Sequence, residues 1–409
     1  MKSVELFVGA GGLALGTARA GFKHETVIEW DHNACDTLRR NKADGVDHVR
    51  NWRIIEGDVC DYDFTQHAGP VDCIIGGPPC QPFSLGGRHR GHSDARDMFP
   101  QAVRAVRETM PKAFMFENVK GLLRQSFANY YQYIIHQLEY PTVTRKGDEE
   151  WTDHLARLEK IKTRDRKPKE LHYNVVFQLL NAADYGVPQC RERVLIVGIR
   201  GDLGVEFSFP QSTHSYDALL YDKWVSGDYW DRHRIAKRNR PTAPDRIRRR
   251  VERLDTLMPV MLPQPWRTVR DAISDLPRIS MGQTSRRVAN HFYNPGARSY
   301  PGHTGSLWDE PAKTLKAGDH GVPGGENTLQ TDEHGNVRYF SVRECARLQT
   351  FPDDWTFEGS WTDSMRQLGN AGPVALAEVV ASQLARVIRP VSGLSDAIAR
   401  AMRDTDRRD

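Results

Sequence analysis

The chain is poor in the features that would tie it to a metal, a membrane or an oxidising compartment. Its six cysteines form no CxxC pair and no Cys/His cluster, which argues against both a disulfide framework and a zinc site. No signal-like apolar segment follows Met1, and no apolar run reads as a membrane span. A soluble, cytoplasmic protein with no membrane partner and no metal is therefore expected. The formal net charge of +4 is close to balance, so overall charge does not argue for nucleic acid. There is no internal repeat. At 409 residues the chain is long for one core, and two domains are expected.

Residues 76 to 84 read Gly-Gly-Pro-Pro-Cys-Gln-Pro-Phe-Ser. The apolar run Cys73, Ile74, Ile75 reads as a parallel strand that the Gly-Gly-Pro-Pro turn stops abruptly. Cys80 then sits at a strand's carboxyl end, the edge where open α/β sheets bind ligands. Most free cysteines are inert core fillers; a thiol carried on a rigid Pro-Pro turn at that edge is placed for reaction instead.

The N-terminus carries a second signal. Val4 to Val8 has strand composition, Gly9, Gly11 and Gly12 supply a tight turn, and Leu13 to Ala20 reads as a helix ending at Gly21. Strand, glycine turn and helix make a nucleotide-type pocket, with Glu29 about 20 residues on. By themselves these residues fit NAD and S-adenosylmethionine about equally. Further along, Phe114 to Val119 reads as a buried strand carrying Glu117 and Asn118. Tyr185-Gly-Val-Pro-Gln-Cys-Arg-Glu-Arg193 leads into the strand Val194 to Val197. The alternation of Arg191 and Arg193 points both guanidinium groups to one face of an extended chain. Isolated strand-end acids and paired arginines are more often solvated than functional.

The order of these blocks resembles the DNA cytosine-5 methyltransferases of the bacterial and phage modification type. Pro-Pro-Cys-Gln followed by Pro-Phe-Ser is similar to that family's nucleophile loop. Arg343 to Pro352 and Gln367 to Pro373 resemble its last two blocks. The resemblance implies a Rossmann-like α/β fold, a parallel-type sheet with helices on both faces, and a smaller irregular target-recognition domain. It implies S-adenosyl-L-methionine as cofactor, with S-adenosyl-L-homocysteine as product, and double-stranded DNA as substrate. Cys80 matches the thiolate that adds to cytosine C6, Glu117 the acid on the N3 and N4 edge, Arg193 a residue orienting base or Glu117, and Arg191 its support. Cofactor contacts are implied for Phe7, Gly9, Gly11, Gly12, Glu29, Trp30, Asp58, Val59, Pro79, Asn370 and Ala371. The final block departs from the family's Gly-Asn-Ser/Ala-Val, with Gly372 where valine is usual. A cognate restriction endonuclease is a possible functional partner. The rivals are a tRNA cytosine-5 methyltransferase, whose Cys-Phe-Thr signature is absent, and a silent DNA-binding paralogue, against which intact Cys80, Glu117 and Arg193 argue.

Residues 1 to 205 form the expected catalytic and cofactor-binding domain, interrupted by a polar insertion at 144 to 170 that reads as a surface excursion. From 206 to 337 composition shifts to Pro, Gly, Arg, His and aromatics, suggesting a loop-rich recognition domain. Residues 338 to 392 should return to the first domain, leaving a charged tail at 393 to 409. A helix after Pro244, with Ile247, Val251 and Leu254 at helical spacing, has a basic face including Arg248, Arg249 and Arg250. Arg248 and Arg249 are expected to meet phosphates. Thr314 and Leu315, with the glycine loop to Gly325, resemble the family's recognition elements. Gln81, Ser84 and Arg88 are placed to meet DNA behind a flipped base.

Overall fold

The computed structural model describes residues 1–67, 70–79, 97–163, 171–256, 262–280, 287–301, 304–317, 327–332 and 334–405. Cys80, Gln81, Ser84, Arg88 and the glycine loop at 320–325 lie outside the described residues. The chain divides into two compact units, the first made of Met1–Leu180, Glu192–Pro210 and Ala377–Asp409, the second of Asn181–Arg191 and Gln211–Leu376.

The first unit is built on seven strands: β1 (Lys2–Leu6), β2 (Lys23–Glu29), β3 (Arg53–Glu56), β4 (Cys73–Gly76), β5 (Ala113–Val119), β6 (Tyr173–Asn181) and β7 (Glu192–Arg200). Their order across the sheet is β3-β2-β1-β4-β5-β7-β6. The first five run parallel, as the alternation of strand and helix patterns predicts. β7 departs from that pattern and pairs antiparallel with β5. The physical reason is the short connection at 182–191, which cannot make the helical crossover a parallel neighbour needs. Strand order reverses between β1 and β4, which puts the ligand-binding crevice at their carboxyl ends.

Helices α1 (Gly12–Arg19), α2 (His32–Ala43), α3 (Phe99–Thr109) and α4 (Ala128–Glu139) connect these strands. Gly76 cannot be larger, since a Cβ there would lie 2.7 Å from the Leu6 carbonyl oxygen.

The polar insertion is not wholly an excursion. It forms α5 (Trp151–Lys162), whose Leu158 is fully buried and whose Trp151 ring lies 5.8 Å from Tyr130 and 5.6 Å from Tyr133 of α4. His154 joins the Tyr133 hydroxyl at 2.9 Å and the Val143 carbonyl at 2.8 Å. At the other end Lys162 donates to Glu139 at 2.7 Å.

The second unit is more helical than its composition suggests. It holds α6 (Tyr216–Trp224), α7 (Asp228–Arg232), α8 (Asp245–Asp255), α9 (Val269–Ile273), α10 (Val342–Leu348) and α11 (Trp361–Asn370), with short strands between them. Leu219, Tyr229 and Trp230 form a small core with Tyr216, Ile235 and Trp266 against it. α12 (Val374–Thr405) begins in this unit and continues in the first. The boundary at Leu376 therefore leaves 338–376 with the second unit, where a return to the first was expected from 338. The stretch Trp361–Arg389 is long and apolar enough to cross a membrane, contrary to the sequence reading, but 61% of its apolar window is buried inside the protein. Val380, Ala381, Leu384 and Ile388 are core residues there.

Candidate active site

The parallel register sets the carboxyl ends of β1, β2, β4 and β5 side by side: Leu6 pairs with Ile28 and with Gly76, and Gly76 with Phe116. Phe7, Glu29, Gly77 and Glu117 each follow or end one of these strands. Phe7 takes the left-handed conformation, φ 56°, followed by Gly9 at 53° and Gly11 at 88°. A positive φ on a phenylalanine is costly outside a functional turn. Gly12 opens α1, which Gly21, φ 98°, stops as expected.

Glu29 is the organising group of this turn. Its Oε2 accepts from the Gly9 N–H at 2.7 Å, and its Oε1 from Trp30 and Asp31 N–H at 3.1 and 2.9 Å. Burial pushes the Glu29 carboxyl up, and these N–H groups pull it back. A carboxylate has roughly four acceptor positions, so three filled ones leave a position for a hydroxyl donor such as a ribose. The adjacent Trp30 is a large apolar ring that is 73% exposed. Asp58 accepts from the Cys60 N–H at 2.8 Å and starts the turn after β3, while Val59 is buried. These residues fit an adenosine-type cofactor: an acid with an acceptor site left, an open aromatic and a glycine turn at one sheet edge.

Glu117 lies near the carboxyl end of β5, one residue past the Phe116 that pairs with Gly76. Arg193 stands opposite Val119 in the antiparallel register, diagonal to Glu117 on the same face. Its Nε lies 2.5 Å from Glu117 Oε1. Burial lowers the Arg193 guanidinium from the usual arginine range, and Glu117 offsets this; an arginine remains charged regardless. The second carboxylate oxygen faces the Pro-Pro turn, 3.6 Å from where a Cβ on Gly77 would sit. Asn118, which the sequence reading left without a role, fixes that turn. Its amide donates to the Pro78 carbonyl at 3.0 Å, and its oxygen accepts from the Val119 N–H. The Pro79 carbonyl in turn accepts from Met98 N–H at 3.2 Å, so the chain leaves and re-enters the described fold at one point.

Arg191 does something else. The strand starts at Glu192, and Arg191 belongs to the second unit, where it is fully buried. It donates to the carbonyls of Leu315, Gly369 and Ala371 at 2.9, 2.5 and 2.9 Å. It is a clamp on the backbone of that unit. Leu315 is likewise buried, its N–H bonded to Gln189. Its side chain fills the unit's core, so the expectation that it meets DNA is withdrawn. Thr314 is half-buried and donates to the Cys190 carbonyl at 2.6 Å. Asn370 is exposed at the end of α11, and Ala371 follows it. Gly372 lies in the turn before α12.

On α8 the ion pairs divide the arginines. Arg248 pairs with Asp245, and Arg250 pairs with Asp217 at 2.5 Å with its guanidinium over the Tyr216 ring. Arg246, Arg249 and Arg253 are exposed and make no ion pair among the described residues.

Comparison with known proteins shows the family. The family model for C-5 cytosine-specific DNA methylases matches residues 1–140 and 159–386, leaving unmatched 141–158, the stretch that holds most of α5. The chain is 33% identical to the type II methyltransferase M.PspPI of a Psychrobacter species, over 94% of this chain and 79% of the relative. It is 31% identical to M.NgoMIV of Neisseria gonorrhoeae, over 95% and 98%. Among solved structures it resembles a DNA modification methyltransferase of an Escherichia coli prophage (TM-score 0.55, 20% identity, covering 95% and 99%) and S. pombe Dnmt2 (0.52, 15%, 96% and 99%). With the site's carboxylates, arginine and glycine turn at one sheet edge and a family match along most of its length, this chain belongs to the C-5 cytosine-specific DNA methylases, enzymes that methylate cytosine C5 in DNA with S-adenosyl-L-methionine as methyl donor.

Proposed function

We propose that the enzyme methylates a flipped-out cytosine within a specific duplex DNA sequence through a covalent bond from Cys80 to C6. The observation that carries this reading is the Glu117–Arg193 pair beside the Gly77 turn, immediately before Cys80. Cytosine C5 is a poor nucleophile, and its reaction requires temporary loss of aromaticity. The Cys80 thiolate adds to C6, and the electron pair displaced from the C5–C6 bond makes C5 an enamine carbon. Glu117 binds the N3 and N4 edge and stabilises the ring as charge accumulates on it. Arg193 holds the Glu117 carboxylate in place. S-adenosyl-L-methionine supplies the electrophilic methyl group. After methylation a base removes the C5 proton, its electrons reform the double bond, and Cys80 leaves as thiolate.

Phe7, Gly9, Gly11, Gly12, Glu29 and Trp30 hold the adenosine end of the cofactor, Asp58 and Val59 border the adenine, and Pro79 lines the methionine end. A stacked cytosine hides C6, so the base has to leave the duplex, at a cost of about a few kcal/mol that protein contacts offset. Gln81, Ser84 and Arg88 meet the DNA behind it, and Arg249 with the Thr314 region contacts the flanking duplex. Modification beside a cognate restriction endonuclease, in the cytoplasm, is the setting this reading implies.

Bisulfite sequencing of DNA from cells making the protein reads activity and site together. Cys80→Ser is expected to abolish transfer with S-adenosyl-L-methionine binding retained, and duplexes carrying 5-fluorocytosine should trap a covalent adduct. Normal turnover in the serine variant would remove Cys80 from the mechanism.

A further inference from the structure

We propose that Tyr130 is a positioning residue for methyl transfer, and that the insertion helix α5 holds it in register. Asp97 is the first described residue after Cys80's segment. It is buried, and it receives hydrogen bonds from the Tyr130 hydroxyl and from the Phe99 N–H at 3.2 Å. One residue on, Met98 N–H holds the Pro79 carbonyl. Pro79 adjoins Cys80, so whatever fixes Asp97 also fixes the residue preceding the nucleophile.

Tyr130 is itself fixed by the insertion. The Trp151 ring meets it edge-on at 80°, and α5 is fastened to α4 at both ends, through His154 on Tyr133 and through Lys162 on Glu139. Glu139 also joins His136 at 2.7 Å; its two partners hold the carboxyl below the usual range against its burial. A solvated excursion would need none of these buried polar links. The line α5, Tyr130, Asp97, Met98, Pro79 is continuous among described residues and ends on the carbonyl oxygen of the residue that precedes Cys80. This inference rests on the reading of Cys80 as the nucleophile.

The test compares the enzyme with Tyr130→Phe, Asp97→Asn, their double variant and Tyr173→Phe, using unmethylated phage DNA and labelled S-adenosyl-L-methionine. Tyr173→Phe deletes a buried hydroxyl bond outside this line, the one to the Pro111 carbonyl, and so reports what stability alone does. Hydrogen bonds to charged groups are strong enough that kcat should fall about tenfold or more in Tyr130→Phe and Asp97→Asn. The double variant should be no worse than either, KM for S-adenosyl-L-methionine should stay within about twofold, and Tyr173→Phe should keep its kcat. Trapping of 5-fluorocytosine DNA should slow by the same factor as kcat. Wild-type kcat in Tyr130→Phe, or an equal loss in Tyr173→Phe, would overturn the proposal. A wild-type enzyme that methylates DNA without trapping the fluorinated duplex would overturn the reading beneath it, and this inference with it.

Discussion

Replacing Arg191 separates a backbone clamp from a catalytic group. The side chain is fully buried and holds three main-chain carbonyls, those of Leu315, Gly369 and Ala371. Arg191→Ala removes the donors and leaves the acceptors behind. A buried polar group stripped of its partner costs about 1–3 kcal/mol, so the loss should be roughly 3–6 kcal/mol after the chain relaxes. That is a large part of the roughly 5–15 kcal/mol that holds a domain together. Arg191→Lys keeps the charge but not the planar fork, and should recover less than half. Urea unfolding followed by circular dichroism measures the shift in midpoint, with the slope monitored for loss of two-state behaviour. The clamp predicts that activity per folded molecule, measured below the transition, survives far better than stability does. An Arg191→Ala enzyme with the wild-type urea midpoint and no turnover would refute the clamp and return Arg191 to the catalytic group.

Gly76→Ala should cost about 1–3 kcal/mol and lower methylation, because its Cβ would meet the Leu6 carbonyl at 2.7 Å; a wild-type unfolding midpoint would show that the strands spread freely there. Neutralising Arg246, Arg249 and Arg253 together should weaken DNA binding on every sequence and reduce the salt slope by roughly 0.9 for each phosphate no longer neutralised, whereas a change of methylated site with an unchanged slope would contradict it. His24, buried between Ser3, Thr17 and the Ala14 carbonyl and facing Glu5 at 3.7 Å, is lowered by burial to about 4. Its contribution is complete above the unfolded value near 6.5 and is lost as pH falls towards 4, by up to about 3 kcal/mol. The stability gap between wild type and His24→Gln should therefore narrow over that interval in urea titrations at successive pH values; a constant gap would mean that His24 titrates normally. Buried Glu5, raised by its own desolvation, acts in the opposite direction and is common to both proteins.

Five strands, β1, β2, β4, β5 and β7, were legible as short apolar runs, whereas β3 and β6 were not read, β6 being mostly exposed rather than an apolar run. The glycine turn, Glu29 and Glu117 followed from their positions at strand ends, and each stands at the expected edge. The clamp made by Arg191 had no signal in the sequence, since its carbonyl partners lie 124, 178 and 180 positions away. Leu315 was misread because a motif position does not reveal burial. In the second unit α8 was legible from its spacing, but α6, α7, α9, α10 and α11 escaped notice because each has ten residues or fewer, too few turns for a 3.6-residue period to emerge from an arginine- and proline-rich background. In the insertion the charged majority hid the spacing of Trp151, Leu155 and Leu158, which falls at i, i+4 and i+7. Asn118 and Tyr130 had no signal at all, since their partners, a proline carbonyl and an aspartate 33 positions away, are set only by the fold.

The chain passes between its two compact units four times, and the first unit is closed only by residues from Ala377 onward. On a ribosome this sets an order of completion. The seven strands emerge early, but the buried strip of Val380, Ala381, Leu384 and Ile388 arrives only after the whole second unit has been made, a wait of roughly ten seconds or more at synthesis rates of about 5–20 residues per second. During that interval the first unit lacks these core side chains, and a unit with an incomplete core is the state a chaperone binds. α12 thus serves as the closing step of the first unit, whose completion waits on residues made after the whole second unit.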